Sequence, residues 1–196
     1  MKRIFDFTVS LLLIIILIPL FLIIGIVIAA DSGRPVIYRQ YRVGKDNKLF
    51  FIYKFRTMKT NTPIAATGEL TGAEKYITRS GKILRKTSLD ELPQLFNVLA
   101  GDMSFVGPRP LIPEEKEIRN LRKEYGVYSV RPGITGLAQV NGRDKLSDKE
   151  KALFDKEYVD KQSLLLDIKI LFKTVMVVLK RENISDGGEP ENKRKL

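Results

Sequence analysis

The sequence predicts a helix-dominated α+β protein with an N-terminal membrane segment, and three observations support this fold class. The stretch from Phe7 to Ala30 contains no charged residue. Short runs of strand-forming residues flank a Gly-Lys-Asp-Asn turn between residues 36 and 53. From residue 92 onwards, apolar side chains recur at helical spacing. We therefore expect a membrane-embedded segment at 1–30, a compact domain with a few short strands and interfacial amphipathic helices at 31–184, and a disordered tail at 185–196.

The composition limits the chemistry that the chain can perform. It has 196 residues with 34 Lys and Arg against 23 Asp and Glu, a formal net charge of +11, and neither Cys nor His. The positive charge favours anionic partners such as phosphates, nucleotides, nucleic acid or acidic lipid headgroups. Disulfides, a thiol nucleophile and an imidazole base are excluded, so any catalysis must use carboxylates, hydroxyls, Lys or Arg.

The uncharged N-terminal stretch is long enough to cross a bilayer, because about 20 helical residues suffice. A cleavable signal peptide usually has an apolar region of about 7 to 15 residues and a small-residue cleavage site. The stretch exceeds that length, and the residue two positions before Ala30 is the bulky Ile28. We expect the segment to be retained.

Pro19 lies near the middle of this stretch and predicts a bend, because it removes a backbone hydrogen bond. Each half has roughly 12 residues, about 18 Å of helix, which is too short to cross alone. Positive residues flank both ends: Lys2, Arg3, Arg34, Arg39, Arg42 and Lys45. This distribution is typical of two cytoplasmic ends and favours a re-entrant helix–break–helix hairpin, with a Pro-kinked spanning helix as the open alternative.

The second predicted strand continues into Tyr53-Lys54-Phe55-Arg56-Thr57-Met58. Alternation along a strand places Lys54 and Arg56 on one face. From this pattern alone, the favoured interpretation is a solvated basic edge that discourages pairing with other strands.

The adjacent carboxylates Asp90 and Glu91 precede a run with Leu92, Leu95, Phe96 and Leu99 at helical spacing, so a helix should begin close to Asp90. Spacing alone favours helix capping, because Ser88 and Glu91 fit a capping box and Pro93 suits a first turn.

A functional interpretation uses the same geometry. A helix N-terminus also binds phosphate, so Asp90 is placed to attack phosphorus, with Glu91, Mg²⁺, Arg85 and Lys86 spreading the developing charge.

Two later segments contain candidate phosphate-binding arginines. Arg109 lies between Pro108 and Pro110, which restrict the backbone and aim a side chain suited to phosphate or carboxylate. The glycine-rich segment 130–143 carries Arg131 and Arg143, either of which can meet a diphosphate. Neither a GxGxxG fingerprint nor a Walker loop is present.

The C-terminal helix predicted around residues 164–180 has an apolar stripe and a separate row of lysines. The stripe consists of Leu164, Ile168, Leu171, Val175 and Leu179, and the lysines are Lys169, Lys173 and Lys180. Such a helix can lie at an anionic membrane surface or cover the core of its own domain. Asp160 and Asp167, near its start, have no role that the pattern assigns.

Together these motifs resemble the bacterial sugar transferase family, the small monotopic polyprenyl-phosphate phosphoglycosyl transferases. The resemblance extends from the hydrophobic segment to about Asn183. The matching blocks, in order, are Tyr53 to Met58, Ser88 to Gln94, Phe105 to Pro110 and Arg131 to Gly136. In one departure, Ile18 precedes the membrane proline where the family commonly has Ser.

The resemblance implies a two-step reaction at the bacterial cytoplasmic membrane, with the catalytic domain on the cytoplasmic face. Asp90 attacks the sugar-proximal phosphorus of a UDP-sugar and releases UMP, and polyprenyl phosphate then attacks the phosphosugar-aspartate. Mg²⁺ is the implied cofactor, shared between Asp90 and the substrate phosphates. Lys54, Arg85, Arg109 and Arg143 match family positions that organise the acidic pair and the phosphates.

The competing interpretation is a noncatalytic, membrane-anchored binder of anionic lipid or nucleic acid. The chain contains no recognised nucleic-acid motif, so we expect no nucleic-acid partner. The identity of the sugar stays open, with Thr62-Pro63-Ile64 as candidate determinants, and a homodimer stays open as well.

Overall fold

The computed structural model describes residues 1–62, 72–142 and 145–180. The predicted tail at 185–196 therefore lies outside the described residues, as does Arg143. In chain order the helices and strands are α1 (Lys2–Ser32), β1 (Ile37–Val43), β2 (Leu49–Phe55), α2 (Arg79–Thr87), α3 (Gln94–Ala100), β3 (Ser104–Val106), α4 (Lys116–Glu124), β4 (Gly133–Thr135), α5 (Leu137–Val140), α6 (Asp148–Asp160) and α7 (Leu164–Lys180). This order confirms a helix-dominated α+β fold with a few short strands.

The strands form two small sheets in the described part of the chain. Strands β1 and β2 make an antiparallel hairpin around the predicted turn, with Tyr38 opposite Lys54 and Tyr41 opposite Phe51. Strands β3 and β4 pair in parallel, with Ser104 opposite Gly133. Helix α3 is hydrogen-bonded to the first sheet, since Asn97 accepts a hydrogen bond from the Tyr53 N–H and donates one to the Phe51 carbonyl.

Helix α1 packs one side against the domain and exposes the other. On the packed side, Phe5, Val9, Leu13, Leu17 and Phe21 contact the main hydrophobic core. The exposed side carries large apolar residues along the whole helix: Phe7, Leu11, Leu12, Ile15, Ile16, Ile18, Leu22, Ile23, Ile26 and Val27. By length and composition, α1 is a candidate membrane segment.

The predicted break at Pro19 is not observed, because α1 is a single helix from Lys2 to Ser32 with Pro19 inside it. A proline removes one hydrogen bond from the helix and usually bends it. Here Leu17 and Phe21, which bracket Pro19, both pack against the domain core. Contacts on both sides of the proline hold the two halves in one helix.

Both ends of α1 contact the same domain. At the N-terminal end, Arg3 donates hydrogen bonds to the carbonyls of Val98 and Leu99 at 2.6 and 2.7 Å. At the C-terminal end, Arg56 donates to the carbonyl of Ser32 at 2.7 Å. Roughly 45 Å of helix therefore lies along one side of the domain.

Helix α7 covers the core with a different face from the predicted stripe. Leu166, Ile170 and Leu171 pack inward. Of the predicted stripe, Leu164, Ile168 and Val175 are exposed, together with Leu165, Phe172 and Met176. Among the stripe residues whose burial is described, which exclude Leu179, only Leu171 packs on the core. The interpretation as a simple cover for the core therefore accounts for only part of the helix surface.

Candidate active site

Asp90 and Glu91 lie in a one-turn 3₁₀ segment, Leu89–Glu91, between α2 and α3. Helix α2 ends at Thr87, the following Ser88 has a φ of 57° that reverses the chain, and α3 begins only at Gln94. The predicted capping box is wrong: within this described turn the Ser88 side chain caps nothing, and its N–H bonds to carbonyls of α2. Asp90 likewise caps no helix, so its carboxylate is not occupied by capping.

Lys54 reaches Glu91 from strand β2. Its Nζ lies 2.7 Å from Glu91 Oε1, and each of the two side chains is 20% exposed. An ion pair that is mostly shielded from water has a well-defined geometry and is screened less than a surface pair. The solvated basic edge predicted for Lys54 and Arg56 is therefore wrong for both residues, because Arg56 is also buried, against the end of α1.

Asp90 is half-buried beside this ion pair. Burial raises the pKa of its carboxyl group above the ordinary aspartate value, Lys54 and Arg85 act in the opposite direction, and Glu91 adds to the increase. Arg85 is held near Asp90 by a 3.0 Å hydrogen bond from its Nε to Thr57 Oγ1. Lys86, the other predicted cation, is exposed at the end of α2.

A small cavity lies beside the Lys54–Glu91 ion pair. Its lining includes Lys54, Glu91 and Arg109 from the sequence-based candidates, and also Arg42. The sequence indicated Arg42 only as a membrane flank. Strand alternation offered a further signal. Arg42 lies two residues from Gln40 and therefore on the same face of β1. Gln40 pairs with Ile52, which shares its face of β2 with Lys54.

The segment that carries Arg109 is fastened by its backbone. Gly133 N–H donates to the Pro108 carbonyl at 2.9 Å, and Arg122 Nη1 donates to the Arg109 carbonyl at 2.7 Å. Gly107 lies so close to the neighbouring strand that a Cβ there would be 2.4 Å from the Arg131 carbonyl oxygen. The glycine is thus required by close approach, and the Arg109 backbone is held in place.

Arg122 is itself buried in an ion pair with Asp155 of helix α6. The Nη2–Oδ2 distance is 2.6 Å, and the two side chains are 4% and 1% exposed. Burial raises the pKa of Asp155, and the adjacent guanidinium opposes that increase. Sequence analysis missed this pair, although Arg122 follows Ile118 by four residues on the inward face of α4, an unusual place for a charge.

Other predicted residues lie elsewhere. Arg131 Nε donates to the Gly101 carbonyl at the end of α3. Asp160 forms an exposed pair with Lys156, and buried Asp167 pairs with Lys2. Of the candidate sugar determinants, Thr62 donates to the Lys59 carbonyl, whereas Pro63 and Ile64 lie outside the described residues.

The acidic pair fits one mode of magnesium binding. Across the described ranges, no group of three or more acidic residues forms an all-protein metal cage. Mg²⁺ is usually held by one or two carboxylates together with substrate phosphates. Asp90 and Glu91 are neighbours whose negative charges repel each other, and they match that arrangement.

Comparisons with known proteins agree on one family. A family model described as bacterial sugar transferase matches residues 1–181. The undecaprenyl-phosphate galactose phosphotransferase of Salmonella typhimurium is 43% identical over 93% of this chain and 41% of its own length. The UDP-glucose:undecaprenyl-phosphate glucose-1-phosphate transferase of Klebsiella pneumoniae is 43% identical over 89% of this chain and 39% of its own length. The uncharacterized sugar transferase EpsL of Bacillus subtilis is 42% identical over 94% of this chain and 90% of its own length.

This chain thus spans about two fifths of the Salmonella and Klebsiella proteins and nearly all of the Bacillus protein.

Proposed function

Because the chain belongs to the bacterial sugar transferase family, we propose that it transfers a sugar 1-phosphate from a UDP-sugar to undecaprenyl phosphate. The observation that carries the proposal is the half-buried Asp90 beside the Lys54–Glu91 ion pair. Arg42 and Arg109 line the cavity beside this ion pair. The names of the Salmonella and Klebsiella relatives supply the substrate class.

In the first step, an Asp90 carboxylate oxygen attacks the phosphorus that bears the sugar. A bond forms between that oxygen and phosphorus, the bond to the bridging oxygen breaks, and UMP leaves with the electron pair. Burial raises the pKa of Asp90, while Lys54 and Arg85 oppose that increase and so favour the ionised nucleophile.

In the second step, a phosphate oxygen of undecaprenyl phosphate attacks the same phosphorus. The bond to Asp90 breaks, which restores the carboxylate and yields undecaprenyl-diphosphate sugar. The backbone of Arg109 is held beside the cavity, and its guanidinium group is suited to bind these phosphates. Mg²⁺ would be held by Asp90 and the substrate phosphates, and it would neutralise part of the phosphate charge.

In this proposal, both ends of helix α1 lie on the cytoplasmic side of the membrane. Its two ends contact one domain, through Arg3 and Arg56. Opposite ends of a spanning helix cannot both touch a domain that lies on one side of the bilayer. The exposed apolar side of α1 then faces lipid, while helix α7 rests at the interface with Ile168 and Phe172 towards the membrane.

The activity is tested by UMP release from detergent-solubilised protein with Mg²⁺, undecaprenyl phosphate and a panel of UDP-sugars. We expect release with at least one donor and its loss in Asp90→Asn, because an amide is not a competent nucleophile. Asp160→Asn, which removes an exposed carboxylate on α6, is the matched control and should retain activity. Absence of UMP across the panel would leave the noncatalytic binder as the better description.

The topology is tested with cysteine-bearing tags at Met1 and Leu196, which are unique thiols because the chain has no Cys. Both tags should resist a membrane-impermeant reagent in intact cells and react after lysis. Labelling of only the N-terminal tag in intact cells would establish a spanning helix instead.

A further inference from the structure

We propose that Arg42 joins Arg109 to form a two-guanidinium site for a phosphate monoester dianion beside the Lys54–Glu91 ion pair. This inference rests on the proposed function and adds to it a second phosphate-binding arginine and the charge state of the group that it binds. Arg42 and Arg109 line the same cavity as Lys54 and Glu91.

Arg42 donates its side-chain hydrogen bonds to neutral partners. Its Nη2 donates to Gln40 Oε1 at 2.7 Å, and its Nη1 donates to the Pro110 carbonyl at 3.2 Å. The Nε atom is buried and has no hydrogen-bond partner among the described residues. A buried donor left unsatisfied is costly, so the hydrogen bonds that the protein supplies to Arg42 are incomplete.

The two guanidinium groups also repel each other. Burial lowers the pKa of Arg42 to about 10, and the charge of Arg109 lowers it as well, whereas the carboxylates of Glu115 and Glu91 act in the opposite direction. In the described portion of the chain, neither arginine forms a salt bridge with a carboxylate. A phosphate whose oxygens meet both cations would offset their mutual repulsion, and guanidinium groups bind phosphate oxygens bidentately.

The reaction supplies such an anion at two points. The phosphate of UMP gains charge as it leaves, because a bridging diphosphate oxygen becomes a terminal one, and a phosphate monoester carries roughly −1.5 to −2 at pH 7. Undecaprenyl phosphate, the acceptor, is also a phosphate monoester. A site that binds the developing charge lowers the barrier more than one that binds the substrate alone.

The test compares Arg42→Gln with Arg39→Gln in the full-length, detergent-solubilised chain. Arg39 is exposed on the same strand, so its replacement makes the same change in net charge away from the cavity. Calorimetry measures the affinity for UMP and for uridine, and steady-state turnover measures the KM for undecaprenyl phosphate. Thermal unfolding checks that each variant is folded, and Arg42→Lys, which keeps the charge but not the bidentate geometry, serves if Arg42→Gln does not fold.

We expect Arg42→Gln to weaken the binding of one phosphate monoester by about tenfold or more, because a charged hydrogen bond to that ligand is lost. Weaker binding of UMP with unchanged uridine affinity identifies the leaving nucleotide as the ligand, whereas a raised KM for the lipid alone identifies the acceptor. If both values match those of Arg39→Gln, Arg42 binds no phosphate and the inference fails, although UMP release by the wild type would still support the proposed function. If the wild type releases no UMP with any donor, the proposed function fails first.

Discussion

The ammonium group of Lys54 lies 2.7 Å from Glu91 Oε1, and Asp90 immediately precedes Glu91 in the same turn. The two acidic residues therefore have different surroundings despite their adjacency. Glu91 is tied to a cation from strand β2, while the pKa of Asp90 is raised chiefly by burial. This difference suits a division in which Glu91 holds Lys54 in position and Asp90 reacts.

Replacement of Lys54 by Met should reduce the rate of UMP release by about 10²–10³-fold, because a preorganised cation next to developing charge is lost. Lys48→Met, in the exposed turn of the same hairpin, is the control for lost positive charge. Initial rates with the best donor of the panel measure the effect. Equal rates in the two variants would show that Lys54 only neutralises Glu91 without contributing to the reaction.

Local patterns predicted the β1–β2 hairpin and the helix after Asp90, because turn residues and helical spacing act over short distances. The capping box failed for a tertiary reason. Spacing places Ser88 and Glu91 correctly for a cap, but Lys54, which is 37 residues away in sequence, takes the Glu91 carboxylate. Contacts of that separation leave no periodic trace in one sequence.

The same limit explains Arg42 and Arg122. The sequence pattern assigns Arg42 to the flank of the membrane segment and places Arg122 on an apolar helix face. Only the packing of β1 beside the Arg109 segment, and of α4 against α6, gives them partners. The predicted break at Pro19 is absent because the local rule considers only the missing hydrogen bond. It does not include the packing of Leu17 and Phe21 against the core.

The buried Arg122–Asp155 pair should position Arg109 rather than contact substrate. Arg122→Met leaves Asp155 buried without its partner and should destabilise the fold by about 3–5 kcal/mol. The double variant Arg122→Met/Asp155→Leu removes that buried charge and should recover much of the loss. It still lacks the hydrogen bond to the Arg109 carbonyl.

Kinetics of the folded double variant separate the two roles. We expect a raised KM for the UDP-sugar with a smaller change in kcat, since Arg109 would be less well aimed at phosphate. Denaturant unfolding verifies that stability has recovered. A double variant with wild-type KM would show that the pair stabilises the fold and has no influence on the site.

The capping box at the start of α6 predicts a pH dependence of stability. Glu150 accepts hydrogen bonds from the Ser147 hydroxyl and N–H, and these bonds lower its pKa below the usual glutamate value. A carboxyl group with a lowered pKa in the folded state stabilises the fold above its unfolded pKa, and this contribution is lost as pH falls through the folded pKa. The advantage of wild type over Glu150→Gln in thermal midpoint should be present at about pH 7 and disappear towards about pH 3. A difference that is constant over this range would show that the charge of Glu150 contributes nothing.

The exposed face of α7 can be tested with a single fluorophore, because the chain contains no Trp. Phe172 is 70% exposed on that face, and Ile16 is 68% exposed on the outer side of α1. Asn120 is exposed on the charged helix α4 and provides a position that should face water. Each residue is replaced by Trp in a separate variant, and the protein is reconstituted into vesicles that contain brominated lipids.

Bromine quenches tryptophan only at close range, so quenching reports which side chains reach the acyl region. We expect Phe172→Trp to be quenched to a degree comparable with Ile16→Trp, while Asn120→Trp keeps its fluorescence. An apolar helix face with flanking lysines is driven to the interface by burial of its apolar area and by attraction to anionic lipid. Quenching of Phe172→Trp should therefore persist at high salt, which screens the lysines but not the apolar contact. If Phe172→Trp instead behaves like Asn120→Trp, α7 does not lie at the membrane, and α1 alone attaches the domain.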